Sequence, residues 1–217
     1  MLSTTKIESN SKSIGAIILA AGESTRMGRP KQKLRFYGES LLRRACYAAL
    51  DSHCDPIVVI LGAHSEVVNQ ELVDLPITVA LNSDWPEGLS STIRCGIDAI
   101  NQGPQPPLGA LLMLADQPLI TSIQLVRLIE AFRKQIAPIV ASQYQIGNEV
   151  VRGVPAVFGF ELFPELLSLR GRDGAKPLIR KYELMCNFIS MPEAVVDIDT
   201  AADFERAESH YQSLSIC

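Results

Sequence analysis

Leu19-Ala-Ala-Gly-Glu-Ser-Thr-Arg-Met-Gly-Arg-Pro-Lys31 is the stretch on which the reading of this chain turns. It leaves a short apolar run, Ile14-Gly-Ala-Ile-Ile-Leu-Ala20, of the length and uniformity of a strand buried on both faces. Small side chains then let backbone N–H groups come close to phosphate oxygens, and Arg26 and Lys31 add positive charge. The spacing is informative as well. Gly22 and Gly28 are followed by Arg29 and Pro30, so this is not the GxxxxGK(S/T) phosphate loop, and no GxGxxG occurs. Composition alone leaves a plain strand-to-helix turn open beside a phosphate-binding loop.

Outward from this stretch, apolar runs alternate with helix-period segments, as expected of strands joined by crossover helices in an α/β fold with a mainly parallel sheet and helices on both faces. Strands are expected at Pro56–Leu61, Ile77–Leu81, Gly109–Ala115, Ala137–Ser142 and Val154–Gly159. Ser40 is placed to cap a helix that carries Leu41, Leu42, Ala45, Ala48 and Ala49 on its apolar side. Further helices are expected at Ser65 to about Leu72, Ser91–Ile100, Ser122–Ile136, Glu161–Leu169 and Ala175–Tyr182. Thr200-Ala-Ala-Asp203 has the form of a capping box, with Asp in place of Glu, opening a last helix to about Tyr211.

The 217 residues carry 20 Lys+Arg against 24 Asp+Glu, and a net charge of -4 argues against a protein that coats nucleic acid or anionic membrane. With 47% hydrophobic residues the chain has the apolar content for an ordinary core, so wholesale disorder is excluded. Residues 1–13 are polar and read as a flexible tail, leaving 14–217 as a single domain. Ile14–Ala21 is far too short to cross a bilayer and lacks the flanks of a secretion signal. The five cysteines show no metal-ligand spacing, and their odd number suits reduced thiols in the cytoplasm.

LAAGESTRMGRPK resembles the LAAGxSxRMGxPK signature of the molybdenum cofactor nucleotidyltransferases, the MobA-like NTP transferases, and most closely their cytidylyltransferase branch. Asn82-Ser-Asp-Trp-Pro-Glu-Gly-Leu-Ser-Ser-Thr-Ile-Arg94, Leu114-Ala-Asp-Gln-Pro118 and Val196-Asp-Ile-Asp-Thr200 agree with the same family in the same order. The resemblance therefore runs from residue 14 to about 210 and implies a Rossmann-like nucleotidyltransferase fold. It also implies that Leu19, Ala20, Ala21, Gly22 and Gly28 bind a nucleotide, with Arg26 and Lys31 acting on its phosphates during transfer. Lys33 stands where the family has an apolar residue and reads as a solvated side chain.

Asp116 follows an apolar strand at its C-terminal end, where open α/β sheets place ligands. There it is expected to hold Mg²⁺ between phosphate oxygens, although a turn Asp before Pro118 has the same sequence. The resemblance puts the second metal carboxylate within Asp197-Ile-Asp199. Strand alternation would aim both side chains to one face, and Asp199 is preferred. Gly88-Leu-Ser-Ser-Thr-Ile-Arg94 resembles the family's GMSSSLRAG, which brings in Ser90, Ser91 and Arg94 as nucleotide-binding candidates, against ordinary capping roles for the serines. Trp85 is read as packing.

Two segments depart from the family pattern: Gly153-Val-Pro155 where Gly-His-Pro is usual, and Gly171-Arg-Asp-Gly-Ala-Lys176 where GDxGAR is usual. Both approach the acceptor in the family. The expected reaction is transfer of a nucleoside monophosphate, CMP from CTP with GTP as the other donor, to the phosphate of a molybdopterin-type cofactor, with a molybdenum enzyme as the expected recipient. A nucleotidyltransferase for a sugar or polyol phosphate, and a cofactor-binding chaperone without transfer, stay open as alternatives. The histidines His53, His64 and His210 build no triad motif.

Overall fold

The computed structural model describes residues 13–103, 105–134 and 137–214, with side chains placed as far as residue 208. The expected N-terminal tail lies outside them except for Ser13, whose carbonyl accepts the Leu108 N–H at 2.8 Å. In chain order the elements begin with β1 (Ile14–Ala20), β2 (Arg35–Phe36), β3 (Glu39–Ser40), α1 (Leu41–Asp51) and β4 (Ile57–Leu61). The chain continues through α2 (Ser65–Val68), β5 (Thr78–Leu81), α3 (Leu89–Ile100), β6 (Gly109–Leu114) and α4 (Ser122–Lys134). The remainder is β7 (Ile139–Ile146), β8 (Glu149–Gly159), α5 (Phe163–Ser168), α6 (Lys176–Lys181), β9 (Cys186–Ser190) and α7 (Ala201–Leu214).

Seven strands form one sheet in the order β5-β4-β1-β6-β8-β7-β9. Only β8 runs against its neighbours; the pairs β1/β4, β1/β6, β4/β5 and β7/β9 are parallel. All seven residues of β1 are buried, and alternation divides them. Ile14, Ala16, Ile18 and Ala20 pack with Leu42, Cys46 and Leu125 of α1 and α4 on one face, whereas Ile17 and Leu19 pack with Ile93, Ile97 and Leu166 of α3 and α5 on the other. This is the expected Rossmann-like arrangement, with helices on both faces.

Several local expectations hold. The Ser40 hydroxyl accepts the Arg43 N–H at 3.3 Å and caps α1. Asp203 accepts the Thr200 N–H at 2.7 Å while Thr200 accepts the Asp203 N–H at 3.3 Å, so the capping box opens α7 as read. Others need correction. β7 and β8 are far longer than the expected strands, because the polar segment 143–152 pairs as a hairpin closed by Gly147 and Asn148, with Gly147 at φ 59°. β9 was not expected at all. Val196–Thr200 is irregular rather than a strand, so alternation does not orient Asp197 and Asp199. The last residues of the expected helix Ser122–Ile136 lie outside the described residues.

What positions the site is the end of the sheet. The C-terminal ends of β1, β4 and β6 open on one side, and β8 keeps pairing with β6 only as far as Ala156↔Leu112. At a register shift between Ala141 and Ser142 β8 parts from β6, while β7 stays paired with β9 as far as Gln143↔Ser190 before the β7–β8 hairpin continues alone, in line with the way a bulge bends paired strands. The room beside Leu114 and Asp116 results.

The close approach of α3 to β1 depends on Gly96: a Cβ there would lie 2.3 Å from Cγ2 of the fully buried Ile17. Alanine would gain about 1 kcal/mol of helix propensity, but overpacking a filled core costs about 1–3 kcal/mol. Gly96→Ala is therefore expected to lower the unfolding free energy measured in urea despite the better helix former. A stabilised variant would show that α3 does not rest on Ile17.

Candidate functional site

The chain leaves β1 at Ala20 and winds through two short helical turns, Thr25–Met27 and Lys31–Lys33, before β2. Two left-handed residues make the winding possible, Ser24 at φ 60° and Gly28 at φ 64°. Gln32 holds the loop shut. Its side chain is almost fully buried, and Nε2 donates to the carbonyls of Ala20 at 2.9 Å and Gly22 at 3.0 Å. The Ser24 hydroxyl accepts the Lys31 N–H at 3.1 Å, which fixes where the lysine side chain starts.

From there Lys31 reaches the end of β6. Its Nζ lies 2.5 Å from Oδ2 of Asp116 and 2.7 Å from Oδ1 of Asp199, bridging two carboxylates that are 83 residues apart in sequence. Arg26 Nη2 donates to the other Asp199 oxygen at 2.7 Å. The fully buried Ile198 pins Asp199 in this position: its N–H donates to the Asp116 carbonyl at 3.0 Å, and its side chain packs with Leu34, Phe36 and Leu119.

Charge follows from these contacts. Burial pushes the Lys31 ammonium toward losing its proton, but Asp116 and Asp199 outweigh burial and hold its pKa above the ordinary lysine value. Partial desolvation raises Asp199, yet the hydrogen bonds and charges of Lys31 and Arg26 leave it below the usual carboxylate range. Asp197 is shifted upward, first by desolvation and then by the like charges of Asp116 and Asp199.

Around this network lies a cavity of about 570 Å³. Leu19, Ala20, Ala21, Gly22, Arg26, Lys31, Asp116 and Asp199 all line it, so most of the sequence candidates come together. A side chain added at Gly22 would meet nothing within 4 Å, so the loop presents bare backbone to open space there. The remaining wall comes from Gln32, Trp85, Leu89, Thr92, Arg172, Lys176 and Asp197, among others.

Four candidates lie elsewhere. Gly28 shapes the loop without lining the cavity. Ser90 is buried in the first turn of α3. Ser91 is spoken for: its hydroxyl lies 2.8 Å from the carbonyls of both Asp84 and Gly88 and accepts from Asn82 at 2.9 Å. Arg94 pairs with Glu87 at 2.5 Å and donates to the Leu169 carbonyl at 2.7 Å. Glu87, whose pKa is held down to about 2 chiefly by Arg94, in turn accepts the Gly171 N–H. The motif 88–94 thus secures the 169–171 turn that carries Arg172. Gln32, Arg172 and Lys176 were not among the candidates, because a glutamine that braces carbonyls and cations in a departing motif carry no spacing signal of their own.

The oxygen-rich chemistry of the acidic pair suits a hard divalent cation. Asp116 Oδ1 is buried without a hydrogen-bond partner, beside a lysine ammonium that already occupies a cation position between Asp116 and Asp199. Among the described residues no three Asp, Glu, His or Cys side chains are grouped to hold a metal alone. Two carboxylates completed by ligand oxygens are enough for Mg²⁺.

The bracing role of Gln32 gives a direct test. Gln32→Leu keeps the bulk but leaves the Ala20 and Gly22 carbonyls without their donor, a loss of about 1–3 kcal/mol. Both the melting temperature and the thermal shift produced by an added nucleoside triphosphate are expected to fall. An unaltered nucleotide shift would mean that the loop holds its shape without Gln32.

A family model for the MobA-like NTP transferase domain matches residues 16–185. The chain is 28% identical over 204 residues to the nicotine blue oxidoreductase of Paenarthrobacter nicotinovorans, covering 93% of this chain and 96% of that protein. It is 25% identical over 202 residues to the molybdenum cofactor cytidylyltransferase of Escherichia coli, covering 93% and 98%. Among solved structures, Rv0371c of Mycobacterium tuberculosis shares the fold with a TM-score of 0.78 at 26% identity, covering 91% of this chain and 98% of that one. The same mycobacterial protein in complex with manganese gives 0.74 at 25% identity over the same shares of the two chains. With the match running from β1 and its loop through Asp116 to the end of α6, the chain belongs to the MobA-like NTP transferase family and is a nucleotidyltransferase.

Proposed function

We propose that the chain transfers CMP from CTP to the terminal phosphate of a molybdopterin-type acceptor and releases pyrophosphate, with Mg²⁺ as the metal and the cytoplasm as its place of action. The observation that carries this reading is the single cavity in which the bare Gly22 backbone, Arg26, Lys31, Asp116 and Asp199 meet. Anionic phosphates need cations and N–H donors on one side and a metal-bearing carboxylate pair on the other.

In this reading the loop 20–28 cradles the triphosphate, and Asp116 and Asp199 would hold Mg²⁺, which would supply positive charge to the phosphates. The Lys31 ammonium, held at the cavity wall by the two carboxylates, neutralises charge that builds up on the phosphates during transfer. An oxygen of the acceptor phosphate attacks the α-phosphorus, the bond from that phosphorus to the bridging oxygen breaks, and pyrophosphate leaves with the electron pair. The acceptor monoester has a second pKa near ~6 and is already largely dianionic at neutral pH. No protein base is needed, which fits His64: its Nε2 is 3.2 Å from the Glu23 carbonyl and outside the cavity. Delivery of the product to a molybdenum enzyme would follow.

Donor choice is assigned to Ala21, which the cytidylyltransferase branch carries where the guanylyltransferase branch has glycine. Ala21 is only 4% exposed, and a Cβ on Gly62 would lie 2.8 Å from the Ala21 methyl and 2.7 Å from Cβ of Trp85. The methyl and Trp85 thus meet over the bare Cα of Gly62, in the wall of the cavity.

Asp116→Asn is expected to abolish pyrophosphate release while circular dichroism and the melting temperature stay close to those of the parent; full turnover would remove Asp116 from the site. Competition between equal CTP and GTP with molybdopterin as acceptor is expected to favour the cytidylyl product. A one-methyl difference supports about 10- to 200-fold preference, and Ala21→Gly should narrow it. Dominant guanylyl product would overturn the donor assignment, turnover with a sugar or polyol phosphate alone would overturn the acceptor, and binding without pyrophosphate would indicate a carrier.

A further inference from the structure

Thr200-Ala-Ala-Asp203 departs from the usual capping box by one methylene, with Asp standing where Glu is the rule. A glutamate in that place reaches back to the N–H of the capping residue. The shorter Asp203 does more. Its Oδ2 accepts the Thr200 N–H at 2.7 Å, the Thr200 hydroxyl at 2.7 Å and also the Asp199 N–H at 3.2 Å. The last of these bonds does nothing for α7, because Asp199 precedes the capping residue and lies outside the helix.

The two N–H groups belong to the peptides on either side of the Asp199 Cα. Between two planar peptides only φ and ψ are free, so fastening both planes to one oxygen fixes both angles and with them the direction in which the Asp199 side chain leaves the backbone. That oxygen is itself anchored. Asp203 pairs with Arg206 through its other oxygen, and its N–H donates back to Thr200 at 3.3 Å. Phe204 stands edge-on to Phe36 at 5.9 Å, and the buried Ala207 packs in one cluster with Ile198, so α7 is held down where the box forms. Asp203 does not line the donor cavity and therefore touches nothing bound there.

Lys31 and Arg26 hold the same carboxylate from the cavity side. The transfer reading gives both cations to the phosphates, so they cannot be its whole support. We propose that Asp203 is the positioning residue for Asp199: through the two flanking peptides it keeps the carboxylate aimed at the Lys31 position beside Asp116, independently of the cations. The assignment takes its consequence for the reaction from the transfer reading above and its geometry from the hydrogen bonds alone.

The test uses the whole chain and compares the parent with Asp203→Ala, Asp203→Glu and Arg206→Ala, in ligand-free crystals and by Mn²⁺ titration with CTP present, followed by electron paramagnetic resonance. Asp203→Ala is expected to lengthen the 2.7 Å contact between Lys31 Nζ and Asp199 Oδ1, while the 2.5 Å contact with Asp116 stays. Asp203→Glu restores the usual box, so its melting temperature should match the parent's. Both Asp203 variants should nevertheless bind Mn²⁺ about 10- to 100-fold more weakly, as when an outer partner of a metal ligand is lost. Turnover should recover at high Mn²⁺, because the carboxylate itself is intact. Arg206→Ala, which leaves the three bonds to Oδ2 in place, should behave as the parent. An unmoved Asp199 in Asp203→Ala, parent-like Mn²⁺ affinity in Asp203→Glu, or an equal loss in Arg206→Ala overturns the proposal. A displaced Asp199 in the variant crystals, with no pyrophosphate released by the parent from any acceptor, would uphold the positioning role and overturn only the transfer reading.

Discussion

The contact on which the rest of the site depends is the Lys31 ammonium between Asp116 and Asp199. It ties three distant pieces of chain: the loop after β1, the end of β6 and the irregular segment before α7. Two carboxylates converging this closely repel each other unless a cation lies between them. The fold supplies that cation from its own sequence, and much of the local architecture serves to aim it. Gln32 and Ser24 set the backbone from which Lys31 starts, while Ile198, buried between its two acidic neighbours, sets where Asp199 ends.

A site held by its own counter-ion is quiet until a competing charge pattern arrives. Under the proposed function, a cation taken up by Asp116 and Asp199 would have to replace the Lys31 ammonium there, and phosphate oxygens entering with it would give that ammonium new partners.

How much of this could be read in advance differed with the physics involved. β1, β4 and β6 were plain because strands buried on both faces must be apolar throughout, and the caps at Ser40 and Thr200 were plain because their hydrogen bonds are local. The β7–β8 extension and β9 were hidden since they lie at the sheet margin, where polar residues such as Gln143 and Gln145 alternate with apolar ones and β9 is only half-buried. At the site, Asp116 and the loop stood out by motif. Ser91 and Arg94 stood out equally but proved to be engaged with protein groups, and a motif does not tell a contact with ligand from a contact that holds the neighbouring turn. Lys176 escaped notice because it enters the cavity wall only through the packing of α6, which no spacing records.

Gly88 sits where two walls of the cavity meet. It has φ 121°, and a Cβ on it would come within 2.9 Å of the Arg172 backbone, so the strip that carries Trp85 and Leu89 and the turn that carries Arg172 are pressed together without a spacer. Ser90 N–H adds a hydrogen bond to the Gly171 carbonyl at 3.2 Å. The two walls are in effect one mechanical part, so a change that widens either has to move the other as well or first unfasten them at this glycine.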